Sequence, residues 1–539
     1  MKPVFSSNRI CWAWCALTVF LGTALLCLLD QNDQAIALRT LSLGFFTSLI
    51  AIPLGVLLAA TANGRGVVPA AARTFCLVGV LIPVFVHVTA WDAAFGKLGL
   101  LTSAFGQVLE PVVARWPAAV WLHAMIATPQ VAVLFLIAYR SGSASWEDAL
   151  SLETRPWIAR LKVLQWRFSP VVVAAMLWAM IGCAREIGVT DIYQIGTLAE
   201  QVYLGYSLGQ LNAMGTAWTP EQLAAAENLG TGITLLIFVW LSASAMFAFL
   251  ALSRSVEHSE SKLPSTAQKN SMLLNTSGVL LLLLLVAVPV ANLIGRVGFV
   301  VRRVDGQPVA SWDAGSAIAA LQSVLSNFQD EFLWSLLIAM ASASLVLLIA
   351  IPSVWFCGRS LIGKLVLAIG FATLASVPGP SLGLLVGWLF NQFDIATIHY
   401  LYDRTILAPV IANVLFCLPI AIPIFWFLAT GVSLDQQEQA LLEGASATRQ
   451  MVYFGFLGPW RANLGAWFLI AALSFGELSA TQMVLPPGID TVPRLALGML
   501  HAGVNESTAA LTLVTLVPVL VLSLLAQICF AANRRIRLR

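Results

Sequence analysis

Twelve runs of about 20 mostly apolar residues, each long enough to carry a helix across a hydrocarbon layer roughly 30 Å thick, dominate this sequence and restrict what it can fold into. They fall near 10–29, 41–62, 74–95, 117–139, 170–192, 230–252, 272–294, 332–356, 364–390, 405–430, 461–485 and 508–531. Lipid offers no partner to a free strand edge, so each run is expected to be an α-helix. The first follows Lys2 and Arg9 as a signal peptide would, but its length and the lack of a small-x-small cleavage pattern keep it as a span. Composition agrees: 59% of the 539 residues are hydrophobic, 10% are charged, and the mean hydropathy is +0.86.

Charge sets the orientation. With the N-terminus inside, 20 of the 29 lysines and arginines lie on the cytoplasmic side and 8 outside, with Arg185 inside a span. Both termini are therefore expected in the cytoplasm, with "NRRIRLR" as a tail. The polar stretch 253–271 reads as a cytoplasmic linker between a first half, 1–252, and a second, 272–539, of six spans each.

The halves repeat. "IAIP" occurs at 50–53 and 349–352, an offset of 299, and Pro83/Trp91 match Pro380/Trp388 at 297. Glu147 and Ala149 match Glu438 and Ala440, and Glu186 and Thr190 match Glu477 and Thr481, all at 291. Ordered matches with a slowly drifting offset point to duplication. Six is an even number, so the repeat is parallel, with a pseudo-two-fold along the membrane normal.

Several functions are excluded at this stage. The net charge is +3 without a long basic block, which argues against nucleic acid. The eight cysteines sit mainly in apolar runs without metal-ligand spacing, and the five histidines are scattered, so no metal, cofactor or nucleophile constellation can be assembled. "GRSLIGK" (358–364) fits a phosphate-loop pattern, but Leu365 stands where a magnesium-binding serine or threonine is required and no soluble strand precedes it. Arg359 and Lys364 read instead as positive-inside charges. The chain is expected not to be an enzyme and not to hydrolyse ATP itself.

The two largest cytoplasmic loops within the halves lie after spans four and ten. In the second, "EQALLEGASATRQ" (438–450) combines charged helix formers with Ala440, Leu441, Gly444 and Ala445, a surface suited to docking against a protein. Its acids and lack of aromatics weigh against an interfacial helix. Glu186 and Glu477 each lie 16 residues beyond the cytoplasmic start of a span, about 24 Å at about 1.5 Å per residue, in the outer half of the bilayer. Ionisable groups at that depth line a path or anchor a helix at the interface, and both readings are open, the second with Glu186 paired to Arg185. Asp92 reads as interfacial.

Glu438-x-Ala440-x-x-x-Gly444 resembles the EAA motif of permease subunits in binding-protein-dependent ABC importers, and "FGELSATQMVLPPGIDT" (475–491) resembles fused two-half permeases of the ferric-iron type. The first-half copy keeps Glu147 and Ala149 but has Glu153 at the glycine position, and the downstream proline is displaced in both halves. The resemblance implies an all-α type I importer permease in a bacterial inner membrane. It further implies coupling of the loops carrying Glu147, Ala149, Glu438, Ala440 and Gly444 to a pair of identical ATP-binding subunits, and delivery of solute by an external binding protein. Glu186 and Glu477 become candidates for the translocation path. Ferric iron is the leaning among cargoes that include thiamine, phosphonates, molybdate and sulfate. The alternative is a secondary transporter of the major-facilitator type, whose loop signature is missing from "NGRGVVPAAAR" (63–73).

Overall fold

A computed structural model describes residues 27, 29, 31–96, 99–102, 115–140, 156–207, 271–304, 307–429, 432 and 434–537. The described residues are mostly helical. The first half contributes α1 (Gln31–Ala62), α2 (Val67–Gly79), α3 (Val84–Phe95), α4 (Trp116–Arg140), α5 (Pro156–Arg185), α6 (Gly188–Ile192) and α7 (Leu198–Ser207). The second begins with α8 (Met272–Leu282), which runs through a π turn into α9 (Val288–Val297). A hairpin of β1 (Phe299–Val304) and β2 (Gln307–Trp312) follows, then α10 (Ala314–Asn327), α11 (Gln329–Cys357), α12 (Leu361–Ser376), α13 (Gly379–Asn391), α14 (Ala396–Arg404) and α15 (Leu407–Ala429). The chain closes with α16 (Leu434–Leu442), α17 (Ala447–Gln450), α18 (Trp460–Phe475), α19 (Val492–His501) and α20 (Glu506–Arg537).

Seven helices among the described residues are long and apolar enough to cross a membrane, or eight if the bent pair α12–α13 is one span. Of the twelve expected spans, 230–252 and all of 10–29 except Cys27 and Leu29 lie outside the described residues, as does the linker up to residue 270. Each of the other ten holds helix, but four are broken. The run 74–95 breaks between α2 and α3 at Pro83, whose ring supplies no N–H, and 364–390 bends by 104° at Val377–Pro378. The runs 170–192 and 461–485 stop helically at Arg185 and Phe475. The breaks thus fall in the third and fifth runs of each half.

Packing follows the same pairing. α1 packs on α4 and α5, as α11 packs on α15 and α18; α2 lies on α4 as α12 lies on α15. Small residues permit the close approach: a Cβ on Gly44 of α1 would stand 2.6 Å from Met180 Cα of α5. The α8–α9 segment crosses over to pack on α1, α2 and α3, so the two halves interlock. The antiparallel hairpin, in register from Phe299↔Trp312 to Val304↔Gln307, lies between the seventh and eighth apolar runs, outside every span read from the sequence.

Candidate functional site

The two broken fifth runs restart the chain by the same device. Beyond α5, the Glu186 carboxylate accepts from the Gly188 N–H and, at 3.2 Å, from the Val189 N–H. Beyond α18, the Glu477 carboxylate accepts from the N–H groups of Ala480 and Thr481 at 2.7 and 3.0 Å. In both, a threonine four residues on donates its hydroxyl to the acid's own carbonyl: Thr190 to Glu186 at 3.3 Å and Thr481 to Glu477 at 3.2 Å. Each acid therefore satisfies backbone donors that a broken helix would otherwise leave bare inside an apolar bundle. Glu477 is itself only 5% exposed, so its carboxylate satisfies these donors from within the bundle.

These restarts meet the broken third runs of the opposite half. Gly476, just before Glu477, packs on Pro83, while Gly379 at the start of α13 packs on the Arg185 carbonyl oxygen and on Ser479. The Ile187 N–H donates to the Ser479 hydroxyl across the halves at 3.4 Å. Arg185 reaches α15, where it donates to the Phe416 carbonyl at 3.1 Å and lies 4.3 Å from the Phe416 ring centre, so the local pair with Glu186 that belonged to the anchor reading does not form.

Around this crossing lies a cavity of about 150 Å³, bordered by His123, Gln130, Trp178, Arg185, Glu186 and Glu477 within a mostly apolar wall. Trp178 donates to Gln130 at 2.9 Å, and His123 Nε2 stands 3.9 Å from a Glu186 oxygen. Both acids singled out from the sequence thus border one cavity. His123, weighed in the sequence only as one of five scattered histidines, joins Gln130, Ser479 and Phe416 at the crossing, and a histidine inside an apolar run is itself a signal. Asp92 accepts a hydrogen bond from the Tyr193 hydroxyl, tying α3 to the end of α6.

At the other end of α18 stands the loop 434–450. Leu434–Leu442 is helical, and Gly444 follows it with φ of +79°, a left-handed conformation that suits glycine. Bonds from the Ala445 N–H to the Ala440 carbonyl and from the Gly444 N–H to the Leu441 carbonyl, at 2.9 and 3.0 Å, make a Schellman C-cap. Ser446 then caps α17 by accepting from the Arg449 N–H at 3.2 Å. Glu438 and Gly444 are exposed and Ala440 is half-buried, while Leu441 and Leu442 are 59% and 89% exposed. The loop is fastened at its base: buried Gln450 donates to the Ala445 carbonyl and accepts from Arg359, each at 3.0 Å, and Arg359 stacks on Trp355. In the "GRSLIGK" stretch, Ser360 caps α12 by accepting from Gly363 N–H. Glu147, Ala149 and Glu153 lie outside the described residues.

Neither a scan of protein-family models nor a search of curated proteins found a match to this chain.

Proposed function

We propose that this chain is the membrane-spanning permease of a binding-protein-dependent ABC importer, its two six-span halves forming the path for a solute that an external protein delivers. The observation that carries the reading is the ordered, exposed helix–turn–helix at 434–450. Leu441 and Leu442 stand largely bare on it, although its turn is capped at Gly444 and Ser446 and its base is pinned to Arg359. A segment built so firmly around exposed apolar side chains suits a partner's cleft.

The loop is also mechanically placed. It leads through a π-helical segment, Met451–Leu457, into α18, whose 16 residues span about 24 Å and end at Gly476 on Pro83. Through Arg359 it holds the α11–α12 corner, and α12 leads to Gly379 on Arg185. Drawing the loop toward a second ATPase-docked loop would therefore move both contacts at the crossing together, rocking one half against the other. The duplication is supported by the reciprocity of those contacts. Pro380, beside Gly379, is the sequence mate of Pro83, and Arg185 is the mate of Gly476 at the 291 offset. A two-fold relation produces such exchanged pairs.

The proposal is confined to the class of transporter. Carboxylates at Glu186 and Glu477 would favour a cation such as ferric iron, but each already accepts from two backbone N–H groups, so they give no argument for that cargo.

The test is ATPase activity recovered with the chain from its native membranes. Changing Leu441 and Leu442 to glutamate should leave the chain folded, because both are exposed, yet strip the ATPase from it. Undiminished ATPase recovery with that variant would contradict docking at this loop.

A further inference from the structure

At the end of the bundle away from the 434–450 loop, α6 of the first half meets α19 of the second. Here the Asp191 carboxylate, 11% exposed, stands 3.1 Å from His501 Nε2 on a half-exposed ring. His501 closes α19, and its Nδ1 lies 2.9 Å from the Leu497 carbonyl oxygen. A carbonyl oxygen only accepts, so Nδ1 carries a proton. The other nitrogen then faces a carboxylate. A neutral imidazole offers this carboxylate no positive charge, whereas an imidazolium attracts it, and the C-terminal end of α19 also favours the charged ring. The Nε2–H direction lies off the oxygen, so the attraction is one of charge more than of a directed hydrogen bond.

We infer that Asp191 and His501 form a proton-dependent latch between the two halves at the outer end of the bundle, closed when the imidazole is charged and released when it is not. Its sign follows from the extra proton. The latch holds while the imidazole carries its second proton and is lost as rising pH removes it. What it would control, the outer mouth, rests on the permease reading; the latch itself is a property of the chain alone.

Other ionisable groups surround the pair. α3 carries His87 and Asp92, α4 carries His123, α11 carries Asp330 and Glu331, α20 begins at Glu506, and α7 carries Glu200 and Tyr203. Asp92 is engaged by Tyr193, and Arg494 lies 3.9 Å from Asp490. His87 and His123 are buried, whereas His501 is open to solvent protons. Glu200 is buried beside this site with one oxygen unpartnered, and it is the group most able to imitate the effect.

The test is an electron–electron distance measurement on the full-length chain in nanodiscs. Spin labels go on Gln201→Cys and Ala502→Cys, both exposed, with the eight native cysteines replaced by alanine. A short-distance population should dominate at about pH 5.5, and its ratio to the longer one should fall about two- to fivefold at about pH 8, the range a partly exposed ion pair supports. His501→Gln and Asp191→Asn should show the high-pH distribution at both pH values. His501→Lys, which keeps a charge, should show the short distance at both, and Glu200→Gln should respond as the unmodified pair does. A distribution indifferent to pH, or a pH response that survives His501→Gln, would overturn the latch. ATP-free nanodiscs contain no transport partner, so this result stands apart from the fate of the permease reading, which uptake measurements decide.

Discussion

Gly476 presses on Pro83 across the two halves of the chain: a Cβ at position 476 would stand 2.6 Å from the proline Cγ and 2.8 Å from its Cβ. The reciprocal contact sets Gly379 with a Cβ position 3.1 Å from the Arg185 carbonyl oxygen and 2.3 Å from Ser479 Cβ. Four helix ends meet within this small region. A proline ring cannot turn aside as a flexible side chain can, so the approach of the broken runs is fixed by the absence of side chains at these two glycines.

Gly476→Ala should therefore destabilise the chain by about 1–3 kcal/mol through overpacking. Gly370→Ala is the matched control, for it sits in α12 with nothing within 4 Å of its Cβ position. There alanine should be neutral or stabilising by about 0.5–1 kcal/mol, since a helical glycine costs about that much. Thermal or detergent unfolding of the two variants checks the contrast, and equal behaviour would contradict the close contact with Pro83.

Glu477→Gln tests whether that acid is needed by its own backbone. Both carboxylate oxygens accept, one from Ala480 N–H and one from Thr481 N–H, and an amide can replace only one of them. The other N–H would face a donor in a buried place, a loss of about 1–3 kcal/mol. Glu186→Gln should cost less, because its side chain is 14% exposed and water can compensate in part. Unfolding measurements on both variants decide this; unaltered stability of Glu477→Gln would contradict the capping role.

The helical class was legible in the sequence, whereas each broken run read as one continuous span, and the marks of the breaks differ from site to site. Pro83 and Pro378 announce a break because a proline ring has no N–H and crowds the residue before it. Glu186 and Glu477 do not, because apolar residues continue past them and an acid in such a run suggests a path before it suggests a cap. Only the position of each carboxylate over N–H groups two to four residues ahead reveals the cap. The hairpin was readable, since "FVVRRV" precedes Asp305-Gly306, a pair suited to a two-residue turn. The tie from Arg185 to Phe416 joins residues 231 positions apart, and no local pattern carries it.

Gly444 is required by its backbone and not by any neighbour: φ is +79° and nothing lies within 4 Å of its Cβ position. Gly444→Ala should cost about 1 kcal/mol locally and loosen the turn between α16 and α17, while Gly444→Asn, tolerated in the left-handed region, should retain it. The expected outcome is reduced ATPase recovery with alanine and near-normal recovery with asparagine. Equal recovery with both would contradict a conformational role for this glycine.

The central claim, that the chain forms a path driven by a separate ATPase, is tested most directly by solute uptake into liposomes, using the solutes found on the binding protein that accompanies it. The account predicts no accumulation by the chain alone under a proton or sodium gradient, and accumulation only when the ATP-binding subunits, the binding protein and ATP are all supplied. Gradient-driven accumulation by the isolated chain would contradict it.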